Sequence, residues 1–148
     1  MATLRVEIVT PESALWAGDA RALMARSSDG EFTVLAQHTA TVGDVVPGVV
    51  RVETDEGELS FAVHGGYFQV AGEGEGVTRA TVLAGVAERT ADIDLARAQR
   101  AKERAEEALA AEARGEVEDH AAHLWAPGAL ARAELRLRAA GGAQRADT

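Results

Sequence analysis

Few side chains in this chain could do covalent or metal chemistry, and their spacing suits almost none of it. There is no cysteine, which removes disulfides and thiolate metal sites. Ser13, Ser27, Ser28 and Ser60 fall in strand or turn contexts, and none occupies the G-x-S-x-G elbow that would expose a nucleophile. Of the histidines His38, His64, His120 and His123, only the last two are close in sequence. Three residues apart on a helix they would share a face, but a metal site needs a third ligand nearby, so a solvated pair is expected. The glycine-glutamate run Gly72–Gly76 lacks a following Lys-Ser/Thr and opens no helix; it is a turn and no phosphate loop. With no nucleophile, acid–base pair or metal spacing, the chain is expected not to be an enzyme and to need no cofactor or metal.

The elements around these residues follow from composition and period. At 148 residues, 47% hydrophobic and 26% charged, the chain has the make-up of a folded protein with one or two small domains. A net charge of −9 argues against nucleic acid, which requires a basic patch. Residues 1–91 carry 6 arginines against 13 carboxylates (−7), and residues 92–148 carry 9 basic against 11 acidic residues (−2). The opening MATLRVEIVT has no basic segment followed by an apolar run, as a signal peptide would. No stretch approaches the roughly 20 apolar residues that cross a bilayer, so contact with a membrane is expected only through a partner.

Residues 3–83 read as short strands. Leu4, Val6 and Ile8 alternate with Thr3, Arg5 and Glu7, the period of a half-buried strand. Breakers recur at Thr10-Pro11, Gly18-Asp19, Asp29-Gly30, Pro47-Gly48, Gly65-Gly66 and Gly72–Gly76. The segments 49–54 and 58–63 flank Asp55-Glu56-Gly57 and form a hairpin pattern. Many short strands without intervening helices predict an antiparallel sandwich or barrel over residues 1–89. From Thr90 the texture changes: residues 91–114 contain no Gly, Pro or Thr and are rich in Ala, Arg, Glu and Leu, which predicts a helix with Thr90 as N-cap and Gly115 as stop. Its small-residue face is Ala91, Leu95, Ala98, Ala101, Ala105, Ala108 and Leu109. A second helix is predicted from Ala129 to about Ala140, ending at Gly141-Gly142, with a frayed tail beyond. The fold class is thus α+β, a β-sandwich followed by a two-helix hairpin over residues 90–148. A seam of alanines buries little area, at roughly 0.8 kcal/mol per CH₂, so the hairpin should be easy to detach.

A series of weak signals in one order carries a resemblance. Ile8-Val9-Thr10-Pro11-Glu12, Leu15-Trp16-Ala17-Gly18, Asp29-Gly30-Glu31 with His38, Pro47-Gly48, the run from Val63 to Val70, Val77 through Arg89, and Ile93-Asp94-Leu95-Ala96-Arg97-Ala98 together resemble the epsilon subunit of F-type ATP synthases. The resemblance spans residues 3–98; beyond it rests on length, helicity and the basic stretch Arg132–Arg138. Thr33 and Ala36 stand where the family usually has glycine and proline, and Leu124–Gly128 has the look of an insertion.

That resemblance implies a non-catalytic rotor subunit at the cytoplasmic face of the cell membrane. It would couple proton flow to ATP synthesis and restrain ATP hydrolysis. The sandwich would clamp the gamma subunit and touch the c-ring, with the loop from Glu31 to His38 matching the ring-facing region. The C-terminal helices would switch between a folded hairpin and an extended form reaching the alpha and beta subunits, where Arg132, Arg136 and Arg138 would meet acidic surfaces. Ile93, Asp94, Arg97 and Ala98 match the I/L-D-x-x-R-A motif with which some bacterial epsilon subunits bind ATP as a regulatory ligand. The resemblance adds Glu88 and Arg104, and Arg132 with Arg136, to that set. The competing reading is a free-standing sandwich with a helical-hairpin tail acting as an adaptor, with no affinity for gamma.

Overall fold

The computed structural model describes residues 2–117 and 120–146, with the side chains of 120, 122 and 142–146 left aside. The chain divides into two compact units between Ala91 and Asp92.

The first unit is a sandwich of two five-stranded sheets. Its strands are β1 (Thr3–Val9), β2 (Ala14–Ala20), β3 (Ala22–Ser27), β4 (Gly30–Val34), β5 (Thr41–Val45), β6 (Gly48–Thr54), β7 (Gly57–Val63), β8 (Gly66–Gly74), β9 (Val77–Ala84) and β10 (Ala87–Arg89). One sheet runs β2-β1-β9-β8-β5 and the other β10-β7-β6-β3-β4. The pairs are antiparallel except β1 with β9, which run parallel, with Val6 beside Ala80 and Val9 beside Leu83. The antiparallel sandwich expected from the sequence is present, with this one parallel pair inside it. The parallel pair arises because the two ends of the unit meet in the middle of one sheet.

Alternation decides which side chains fill the space between the sheets. Leu4, Val6 and Ile8 of β1 point inward beside Ala80, Val82 and Ala84 of β9, and Val50, Val52, Phe61 and Val63 face them from the second sheet. Phe32 and Phe68 stack across the core with centroids 4.3 Å apart. The 55–57 turn closes the β6–β7 hairpin in the expected register, Thr54 opposite Gly57. Gly66 begins β8 where the backbone passes very close to β9: a Cβ there would stand 2.1 Å from the Leu83 carbonyl oxygen.

The second unit is a helical pair, α1 (Leu95–Ala113) packed against α2 (Ala126–Ala146). Three boundaries differ from the sequence reading. Thr90 does not cap α1; it lies buried in a 3₁₀ turn, Thr90–Asp92, and Asp94 takes the cap with extended backbone, its Oδ1 accepting the Arg97 N–H at 3.0 Å. An aspartate satisfies the first orphan amides of a helix at least as well as a threonine. Second, α2 starts three residues early, at Ala126. Pro127 falls in the first turn, where its missing N–H has no partner to lose. Third, α2 runs through Gly141-Gly142 to Ala146 where a stop and a frayed tail were expected. Glycine weakens a helix interior by only about 1 kcal/mol, which neighbouring turns offset. The expected stop at Gly115 is present: φ is +71°, and the N–H groups of Gly115 and Glu116 donate to the carbonyls of Glu112 and Ala111 at 3.0 and 3.1 Å, a Schellman closure.

Of the expected small-residue face, Ala98, Ala105 and Ala108 are buried and Ala101 and Leu109 half-buried, whereas Ala91 and Leu95 are exposed because the helix starts later than expected. From α2, Ala126, Ala133 and Ala140 are buried along one side and Leu135 and Ala139 along another.

Candidate functional site

Three groups of residues are candidates: the segment from Glu31 to His38, the arginine-bearing faces of the two helices, and a patch on the sandwich that the sequence reading did not single out.

The first is not one loop. Glu31 lies within β4, exposed and opposite Arg26 near the β3–β4 turn. Thr33 is also in the strand, paired with Met24. The connection proper is 35–40. Ala36 packs on the core, Leu35 is exposed, and His38 sits half-buried with Nδ1 2.7 Å from the Thr39 carbonyl oxygen. At about 3.3 Å per residue, Glu31 lies roughly 10 Å along β4 from Val34, after which the turning connection that carries His38 begins.

In the helical unit, Asp94 and Arg97 do meet, but the carboxylate holds the Arg97 backbone amide and leaves the guanidinium exposed. Arg104 is exposed seven residues on, a spacing that returns to the same face about 10.5 Å further along α1. Ile93 is half-buried and Ala98 is buried. On α2, Arg132 is exposed and reaches back over the first turn, its Nη1 3.2 Å from where a Gly128 Cβ would stand. Arg136 is half-buried one turn later. Arg138 is exposed but, six residues from Arg132, projects from another side; the three do not make one basic face. Glu88 belongs to the sandwich, on β10 opposite Ala62. His123 is not a solvated residue: it is half-buried, with Nδ1 3.1 Å from the Ala108 carbonyl oxygen, and ties the helix connection to α1. The His120 side chain lies outside the described residues. Among the described residues no three of His, Cys, Asp and Glu gather as a metal site would require.

The third group lies on the outer face of the sheet β2-β1-β9-β8-β5. One end of this face is charged. Arg79 donates to both Glu7 and Glu73, reaching Glu73 Oε2 from Nη2 at 3.2 Å. Its pKa is raised, first by the hydrogen bond to Glu73; desolvation opposes this, and the charges of Glu7 and Glu73 with the hydrogen bond to Glu7 add to the rise. The other end is apolar. Leu83 is beside Val9 on one flank and Tyr67 on the other; directly across from Tyr67 on β5 stands Asp44, with Val42 on the diagonal. Tyr67 is 66% exposed, Leu83 48% and Val42 73%. A groove of about 340 Å³ lined by Val9, Thr10, Pro11, Leu83, Ala84 and Gly85 continues the patch. Period-2 alternation puts Tyr67 opposite in facing to Phe68, but assembling the row needs the pairing of four strands, which no local pattern carries.

The architecture is thus a ten-stranded sandwich followed by a two-helix unit. Residues 3–90 match the family described as "ATP synthase, Delta/Epsilon chain, beta-sandwich domain", and residues 91–141 match "ATP synthase, Delta/Epsilon chain, long alpha-helix domain". The chain is 42% identical over 110 residues to the ATP synthase epsilon chain of Desulforudis audaxviator, covering 74% of this chain and 77% of that one. It is 40% identical over 121 residues to the epsilon chain of Alkalilimnicola ehrlichii, covering 81% and 83%. In structure it is similar to a chain of the Euglena gracilis mitochondrial ATP synthase OSCP/F1/c-ring assembly, with a TM-score of 0.69 at 25% identity, covering 95% of this chain and 82% of that chain. The chain belongs to the ATP synthase delta/epsilon family, as an epsilon chain. No helix among the described residues is long and apolar enough to cross a membrane.

Proposed function

We propose that this chain is a non-catalytic subunit of the central stalk, seated on gamma at the cytoplasmic face of the membrane, which couples proton translocation to ATP synthesis and restrains ATP hydrolysis through its helical pair. The observation that carries the reading is the exposed apolar pair Tyr67 and Leu83, adjoining Val9 and the groove beside it, with Val42 on the diagonal past Asp44. An exposed contiguous patch of this kind marks a protein partner, and gamma is the occupant proposed. The edge from Glu31 to His38 faces the c-ring, acting by position and charge. The described residues buried in the helical unit are mostly alanines, with Leu135 the one large side chain among them, so separating the helices exposes modest apolar area and two arrangements can lie within a few kcal/mol. In the extended arrangement Arg132, Arg136 and Arg138 approach the alpha and beta subunits, the first two from one side of α2 and Arg138 from another.

ATP is proposed as a regulatory ligand of the folded arrangement. The capping bond at Asp94 fixes the first turn of α1, so that Arg97 and Arg104 project from one face with defined spacing. A ligand that binds the folded form better shifts the helices toward it. Titration with millimolar ATP should shift amide signals of that turn, and a flat titration withdraws the ligand.

Co-purification with recombinant gamma tests the seat, and ATPase assays of the assembled complex with full-length chain and with residues 92–148 removed test the restraint. Retained binding with faster hydrolysis in the truncated complex is the expected pair of results. A full-length chain that ignores gamma contradicts the proposal and favours a free-standing adaptor.

A further inference from the structure

The inward row of β9 consists of Thr78, Ala80, Val82 and Ala84, all buried. Thr78 is its only polar member, and it is 4% exposed. A valine would fill the same space without bringing a hydroxyl into the core, so what the hydroxyl adds is the bond it makes. That bond leaves the row: Thr78 Oγ1 accepts the Gln37 N–H at 2.8 Å, 41 residues away in the β4–β5 connection. Gln37 has φ of +69° and is one of two non-glycine residues in the left-handed region among those described. A residue with a Cβ does not settle there unaided. The neighbours turn with it. The His38 N–H donates to the Leu35 carbonyl at 3.1 Å, Ala36 packs inward, and Leu35 stands 53% exposed.

We infer that Thr78 is a positioning residue whose hydroxyl latches the 35–40 connection from inside the sandwich, and so fixes how Leu35 and His38 are presented to the rotor ring. The latch is a property of the free chain; its consequence for coupling holds only if this edge faces the ring as proposed above. The hydroxyl therefore matters for shape on a surface it does not reach itself.

Two substitutions in the full-length chain test this, Thr78→Val and Thr78→Ser. In the free chain, amide hydrogen exchange at Gln37 should quicken by roughly tenfold in T78V, the equilibrium worth of one hydrogen bond. It should stay near wild type in T78S, even though the loss of a buried methyl lowers the unfolding midpoint of that variant, so faster exchange confined to T78V reports the lost bond and not a general loss of stability. In the assembled ATP synthase, proton-driven synthesis should fall in T78V and recover in T78S, while gamma binding is retained. Unchanged Gln37 exchange in T78V overturns the latch. Faster exchange with undiminished synthesis overturns the positioning role. In that second case Glu31→Ala and His38→Ala decide the wider reading: if both also leave synthesis intact, the edge does not face the ring, and if either reduces it, only the role of Thr78 has failed.

Discussion

Replacing Tyr67 and Leu83 together by alanine separates docking from folding. Full burial of a side chain of this size stabilises by about 1.5–3 kcal/mol. With 66% of Tyr67 and 48% of Leu83 still exposed, a partner covering both gains about 2.5 kcal/mol, or roughly 60-fold in Kd. The same change removes one cross-strand pair from the free chain, which is worth only about 0.2–1 kcal/mol. Titration calorimetry with recombinant gamma, run beside urea denaturation of the free chain, reads both quantities. The reasoning predicts a large loss of affinity with a small loss of stability. An affinity close to wild type refutes the assignment of this face, and equal losses in both show that the pair serves folding.

Three further outcomes follow from single positions. Gly66→Ala drives a methyl into the Leu83 carbonyl and the β9 backbone, so urea denaturation should show a loss of at least about 2 kcal/mol; a loss well below that means the strands shift freely. Asp94→Ala removes the cap of α1 and should cost about 1 kcal/mol of local helix stability, seen as faster exchange of the Arg97 amide, whereas Asp94→Asn retains most of it; equal behaviour of the two denies the capping role. Ala105→Leu overpacks a fully buried position of α1 and should destabilise the helical unit by about 1–3 kcal/mol, with amide exchange in the sandwich strands unchanged; a neutral effect means that the seam has room.

The sandwich was legible because local signals agreed with the global fold. In β1 and in the 49–63 hairpin, alternation, β-branched residues and turn residues all indicate the same elements. The parallel contact of β1 with β9 was not legible, since it joins residues more than 70 positions apart and leaves no local trace. Helix ends were read one cap too early because Thr90 and Asp94 are both good caps, and the choice between them depends on a 3₁₀ turn that buries Thr90. For α2, Pro127 and Gly141-Gly142 signal breaks that the helix absorbs. Its buried residues also lie on more than one side, so no single apolar stripe fixes its register. Among the site residues, motif spacing found Asp94 and Arg97 but could not say that the carboxylate serves the backbone. The Val42–Tyr67–Leu83 row and the Thr78–Gln37 bond escaped because each depends on which distant strands become neighbours.

Coupling is tested most directly by proton-driven ATP synthesis in membranes whose ATP synthase has been depleted of this chain and then resupplied with it. The account predicts that depletion uncouples proton flow from synthesis and that the purified chain restores it. Synthesis that continues undiminished without the chain, or that the chain fails to restore, contradicts it.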